Sequence, residues 1–258
     1  MERLRELVRY RELVRNLVAR DLKARYKSSV LGFLWCLVNP LLMMGVFTVV
    51  FTVLMPKDIP KYPVFILCAL LPWNFFSSAV INSIGSITDN AHLIKKVYFP
   101  REVLPLSTVL SNLVNFLLAL IVLFAVLFAF RVRLTIWALL LPAIILIQVV
   151  FTLGLSLILS ALNVFYRDTG IIMETVMLAW FFLTPIFYRM EDLVPRYARL
   201  MYWINPMASI ISSYRVILYH GAPPAFDFLV RTFVTALAFL VGGYLFFSRY
   251  SRVFGEEV

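Results

Sequence analysis

The sequence predicts an all-α fold: a polytopic helical membrane protein with six transmembrane helices. An N-terminal amphipathic helix at the membrane interface and a re-entrant helical segment between spans five and six complete it. Three observations carry this. Of the 258 residues, 62% are hydrophobic and only 15% are charged, too little polar surface for a soluble domain. Residues 28–56, 62–88, 103–130 and 134–166 contain no Asp, Glu, Lys or Arg; 169–188 contains only Glu174, and 232–248 again has none. A helical crossing of the hydrocarbon core needs about 20 apolar residues, and each run is that long or nearly so. Finally, short basic connectors separate the runs. Nine of the 24 basic residues precede Ser28, which holds the arm on the cytoplasmic side, facing anionic headgroups.

The elements follow in order. In the arm, residues 1–29, Tyr10, Leu13, Val14, Leu17 and Val18 form one apolar helical face. Leu4, Leu7 and Val8 make a second stripe out of phase with it, which predicts a bend near residues 9–11. Such a helix lies in the membrane interface, although the same pattern also permits packing on a partner. The remainder, residues 30–258, reads as one membrane domain. Its spans are expected near 30–55, 63–88, 104–130, 136–164, 170–187 and 229–247. Between the last two, residues 200–219 are apolar but broken at Asn205-Pro206 and interrupted by Arg215. Two short helices dipping back into the outer leaflet fit this pattern, since irregular backbone at membrane depth survives only inside protein. Six crossings place both termini in the cytoplasm.

Several function classes are excluded. The net charge of +10 is placed for topology, so nucleic acid is not an expected partner. Cys36 and Cys68 fall inside spans and read as small apolar residues. His92 and His220 stand apart, with no metal-ligand spacing. No Gly is followed by Lys, so the chain has no phosphate-binding loop of its own for ATP. No catalytic residue, cofactor or metal is expected. Glu174 is the acidic residue within a span and a functional position by default, but it also lies within reach of the interface or of Arg167.

Two sets of residues stand out. Trp73, Phe75 and Phe76 sit about ten residues into span two, roughly 15 Å deep at helical rise, where an interfacial aromatic belt does not place them. Trp180, Phe181, Phe182 and Tyr188 cluster in the outer half of span five. Aromatic faces stack on sugar rings, so the set suits a lined conduit; helix packing or lipid contact accounts for any single ring. In the inner loop 89–102, Leu93, Ile94, Val97 and Phe99 alternate with Lys95, Lys96 and Arg101. That mixture suits docking into a groove on a soluble partner, and contact with the lipid interface fits it as well.

A resemblance now emerges. Arg20-Asp21-Leu22-Lys23-Ala24-Arg25-Tyr26-Lys27 running into Gly32, Trp35 and Asn39-Pro40 resembles the opening of type-2 ABC exporter permeases that move cell-surface polysaccharides. So do Leu71-Pro72-Trp73-Asn74-Phe75-Phe76, the run from Leu93 to Glu102, Tyr166-Arg167-Asp168, Trp180-Phe181-Phe182-Leu183-Thr184-Pro185 and Asn205-Pro206-Met207, in family order. The resemblance implies an O-antigen or teichoic-acid export permease in the bacterial cytoplasmic (inner) membrane, a homodimer with two copies of a separate ABC ATPase subunit. It implies ATPase coupling through Leu93, Ile94, Lys95, Lys96, Phe99 and Arg101, and through Tyr166, Arg167 and Asp168. It also implies a path for an undecaprenyl-linked polysaccharide, for which Trp73, Phe75, Phe76, Trp180, Phe181, Phe182 and Tyr188 are the expected lining. A type-2 permease for a drug or lipid would share these features. A membrane enzyme acting on a polyprenyl-linked sugar would need acidic pairs or His on a membrane-facing loop, which this chain lacks.

Overall fold

The computed structural model describes residues 9–27, 32–55, 58–190 and 198–257; the Leu4, Leu7 and Val8 stripe lies outside them. Every regular element among the described residues is helical. Helix α1 spans Arg11–Tyr26, α2 Trp35–Val49, α3 Tyr62–Ile84, α4 Ala91–Lys96 and α5 Val103–Ala129. Helix α6 spans Leu141–Phe165, α7 Thr169–Leu183, α8 Ala198–Ile204, α9 Pro206–Leu218, α10 Phe226–Tyr250 and α11 Phe254–Glu257. A π-helical turn at Val50–Leu54 lengthens α2 to a 20-residue apolar run, and a 3-10 turn at Ile136–Leu140 leads into α6.

Five helices are long and apolar enough to cross a membrane: α2 with its π turn, α3, α5, α6 with its leading turn, and α10. The expected fifth span is shorter. Helix α7 has 15 residues, about 22 Å of rise, against a core of about 30 Å. Residues 184–189 beyond it are non-helical and pack against α3. The predicted break at Asn205-Pro206 is where α8 ends and α9 begins. Pro206 needs no N–H at the first helical position, and the Asn205 side chain caps the helix by accepting from the Ala208 N–H at 3.2 Å.

Helix α3 is the hub. Most of its length is apolar and buried, the pattern of a helix enclosed by others, and α5, α6 and α9 pack on it. Proline at 72 has no N–H to give the carbonyl of Cys68, four residues before it. Gln148 of α6 donates to the Pro72 carbonyl at 2.7 Å and accepts from the Tyr214 hydroxyl of α9 at 2.9 Å, all in the fully buried centre. A satisfied polar tie of this kind is inexpensive, and it fixes how the three helices register. Helix α2 and its π turn differ, with Val46, Val53 and Leu54 exposed on the isolated chain.

Helices α6 and α10 approach most closely at two glycines. A Cβ on Gly243 would lie 2.2 Å from the Gly154 carbonyl oxygen, and one on Gly154 would lie 2.5 Å from the backbone of residues 239 and 240. Small residues allow this backbone-to-backbone crossing. Gly243→Leu is expected to force the pair apart and cost roughly 3 kcal/mol or more, read as a lower unfolding temperature of the solubilised protein. Unchanged unfolding would show that the crossing is not tight.

A second apolar cluster lies at the end of the bundle that carries the arm. Leu17 of α1 joins Ile87, Phe99, Leu104, Leu157 and Phe247 there, with Tyr10, Leu13 and Val14 packed alongside. The predicted apolar face of the arm thus contacts the protein's own helix ends rather than lipid alone.

Candidate functional site

The two loops expected to engage a partner come out at the same end. Helix α4 is a single short turn-and-a-half, with Asn90 at its N-cap position and Lys95 and Lys96 in its last turn. Lys95 and Lys96 are exposed, as is Val97, and Tyr98 is 92% exposed. Leu93 and Ile94 are half-buried against the second cluster, and Phe99 is 4% exposed within it. The loop therefore divides in function. Phe99, with Leu93 and Ile94, anchors it, while Lys95, Lys96, Val97 and Tyr98 present a basic and aromatic edge. Sequence reasoning grouped Phe99 with the docking residues and passed over Tyr98; an apolar residue in a loop carries no label for whether it faces its own chain or another.

Beside that edge lies an open cavity of about 550 Å³, lined also by Tyr244, Ser251 and Arg252. The second loop, Tyr166-Arg167-Asp168, is exposed and closes the turn between α6 and α7, with the Thr169 hydroxyl donating to the Tyr166 carbonyl at 2.6 Å. Both loops meet the C-terminal helix α11. Arg101 sits over the Phe254 ring at 6.0 Å, and Phe165, next to Tyr166, packs edge-on against Phe254 at 6.2 Å and Tyr250 at 5.6 Å. Phe254 also meets Phe247 of α10 at 5.3 Å. Packed rings thus connect the first loop and the end of α6 to α11 and α10.

The aromatic set divides in the same way. Phe76 is fully buried, packed on Phe151 at 5.5 Å and Trp180 at 5.1 Å; Trp73 packs on Phe76 and on Phe181 at 5.6 Å. Trp180 further donates from Nε1 to Asn205 Oδ1 at 2.9 Å, and Asn205 Nδ2 donates to Thr184 at 2.9 Å. These rings hold α7 and the α8–α9 break against α3. Tyr188 is buried with its hydroxyl donating to the Phe182 carbonyl at 3.0 Å. Phe182 is exposed, and Phe75, although buried on Phe116 at 5.2 Å, borders a side cavity. Glu174 is exposed on α7 and, among the described residues, makes no ion pair with Arg167.

The residue that sequence reasoning treated only as an interruption is Arg215. On α9 it is 7% exposed, and its guanidinium donates to the carbonyls of Pro185, Ile186 and Phe65 while lying 3.6 Å from the centre of the Phe65 ring. Tyr62 also donates to the Phe187 carbonyl at 3.2 Å. The non-helical run after α7 is satisfied by side chains of α3 and α9, which is the condition irregular backbone needs at membrane depth. An arginine inside the otherwise uncharged run 206–219 was the available signal.

Comparison with known proteins agrees with the resemblance. Residues 12–219 match the family model described as ABC-2 type transporter. The chain is 41% identical to an O-antigen export system permease protein, RfbA, of Myxococcus xanthus, over 99% of this chain and 98% of that one. A protein of the same name from Klebsiella pneumoniae is 36% identical over 92% of this chain and 91% of its own. The polysialic acid transport protein KpsM of Escherichia coli is 26% identical over 77% and 78%.

Proposed function

We propose, for a chain that belongs to the ABC-2 type transporter family, that it is the transmembrane subunit of an ATP-driven exporter of a lipid-linked polysaccharide. Permeases of this family work with a partner ATPase subunit, and the chain itself does no covalent chemistry. The observation that carries the reading is end-to-end similarity to O-antigen export permeases, at identities too high for fold likeness alone. Two copies of the chain and two ATPase copies form the working unit, in the bacterial cytoplasmic membrane with both termini inside. Lys95, Lys96, Val97 and Tyr98 engage the ATPase together with Tyr166, Arg167 and Asp168. Leu93, Ile94, Phe99 and Arg101 fix that edge to the helix bundle.

The geometry supports a definite division of labour. A ligand or nucleotide shifts a conformational equilibrium only through differential contact with its states. Closure of the ATPase would act on the exposed edge, and α11 would carry the displacement into α6 and α10 through Phe254. Within the aromatic set, Phe182, which is exposed, and Phe75, which borders a side cavity, meet the glycan in the dimer. Trp73, Phe76, Trp180, Phe181 and Tyr188 support them from behind.

Deleting the reading frame in its own cell tests the reading. Loss of surface polysaccharide with lipid-linked glycan accumulating on the cytoplasmic side is expected, reversed by the wild-type gene. Normal surface glycan in the deletion strain would remove it. Reporter fusions after Gly255 and at Ile59 are expected to report opposite sides of the membrane.

A further inference from the structure

A row of polar residues runs along one side of the bundle. On α3, Asn74, Ser78 and Asn82 recur at four-residue spacing and so share a helix face. Facing them are Asn112 and Asn115 of α5 and Asn39 of α2, around a cavity of about 330 Å³. Arg25 of α1 stands at its mouth. Its Nη2 donates to Asn112 Oδ1 at 3.1 Å, and Asn82 Nδ2 reaches the same oxygen at 3.4 Å.

Polar side chains between membrane helices often serve only to join them. Two features separate this crevice from such a joint. Among the described residues, Asn39, Asn74 and Ser78 make no hydrogen bond, yet all three line the cavity. Arg25 makes no ion pair among the described residues, whereas its neighbour Arg20 is paired with Asp21 at 3.1 Å. Arg25, Asn39 and Ser78 are exposed on this chain and Asn74 is half-buried. A cation with no carboxylate partner among the described residues thus stands at the mouth of a crevice whose polar groups are open, which suits an anionic, hydrogen-bonding occupant at membrane depth. Asn74 lies ten residues before the end of α3, about 15 Å along the helix. The crevice thus leads from the arm to a depth where headgroups do not rest unaided.

We propose that this crevice holds the phosphate headgroup of a membrane lipid, with Arg25 supplying the charge and Asn74, Ser78 and Asn39 the hydrogen bonds. The proposal rests on the export reading for its preferred source, the diphosphate of a polyprenyl carrier; a bulk anionic phospholipid offers the same phosphate chemistry. Lipid phosphate enters at Arg25 and passes inward along the amides, which would seat the carrier while the glycan is threaded.

The test uses the full chain with its ATPase in phosphatidylcholine nanodiscs, with bound lipid read by native mass spectrometry. Titration with undecaprenyl diphosphate is expected to show binding about tenfold weaker in Arg25→Gln and in Asn74→Leu, and largely retained in Arg25→Lys, which keeps the charge. Phosphatidylglycerol as competitor separates the sources: weak displacement assigns the carrier, and equal displacement assigns a phospholipid headgroup to the same site. If Arg25→Gln and Asn74→Leu bind both lipids as the wild type does, the crevice is a water-filled or subunit-covered joint and the proposal falls. Surface glycan measured in the same strains keeps the readings apart. Intact export with unaltered binding overturns this inference alone, while Arg25-dependent binding by a chain that supports no glycan export overturns only the export reading.

Discussion

Arg215→Met is expected to destabilise the permease by roughly 3 kcal/mol or more, because it leaves the Pro185 and Ile186 carbonyls buried without their donor. Methionine keeps much of the volume, so the loss isolates hydrogen bonding from packing. The damage should concentrate where α7 gives way to non-helical chain, freeing α8 and α9 from α3. Arg215→Lys should rescue little, since one ammonium cannot reproduce a guanidinium fork over several carbonyls and the Phe65 ring. Thermal unfolding in detergent, with protease cleavage between α7 and α9 as a local readout, checks this. A Met variant as stable and as resistant as the wild type would mean that the carbonyls find other donors.

The second large effect is functional. Lys95→Glu, Lys96→Glu and Tyr98→Ala together should leave folding and membrane insertion unchanged, because all three side chains are exposed. ATPase stimulation and export should nevertheless fall at least about tenfold, the scale expected when an aromatic anchor and its flanking charges leave an interface. Phe99→Asp should behave differently. It puts a carboxylate into the second apolar cluster, so the loss appears as less folded protein rather than as uncoupling. Equal ATPase stimulation in the triple variant and the wild type would place the partner's contact elsewhere.

The span pattern was legible because membrane crossing imposes length and apolarity on local sequence. The α8–α9 break was legible because Asn-Pro is local turn chemistry. Other features depend on which face meets which neighbour, and spacing alone does not specify a partner. Trp73 and Phe76 read as conduit lining from their depth, yet they pack on Phe151, Phe181 and Trp180 inside one chain. The shortness of α7 was hidden because residues 184–188 are as apolar as the helix before them; only the donors from Arg215 and Tyr62 distinguish the two. The Asn74, Ser78 and Asn82 spacing was present in the sequence all along, but its meaning depends on α2 and α5 supplying the opposite wall. Helix α11 was invisible as an element, since four residues carry no periodicity, and its importance comes from Phe254 meeting both loops.

The most direct test of export driven through the cytoplasmic edge is glycan movement in inverted membrane vesicles holding the chain and its ATPase. Lipid-linked glycan added outside should become protected from a glycosidase only when ATP is present, and the Lys95, Lys96 and Tyr98 triple variant should abolish that protection. Protection without ATP, or protection undiminished in the triple variant, would contradict the account.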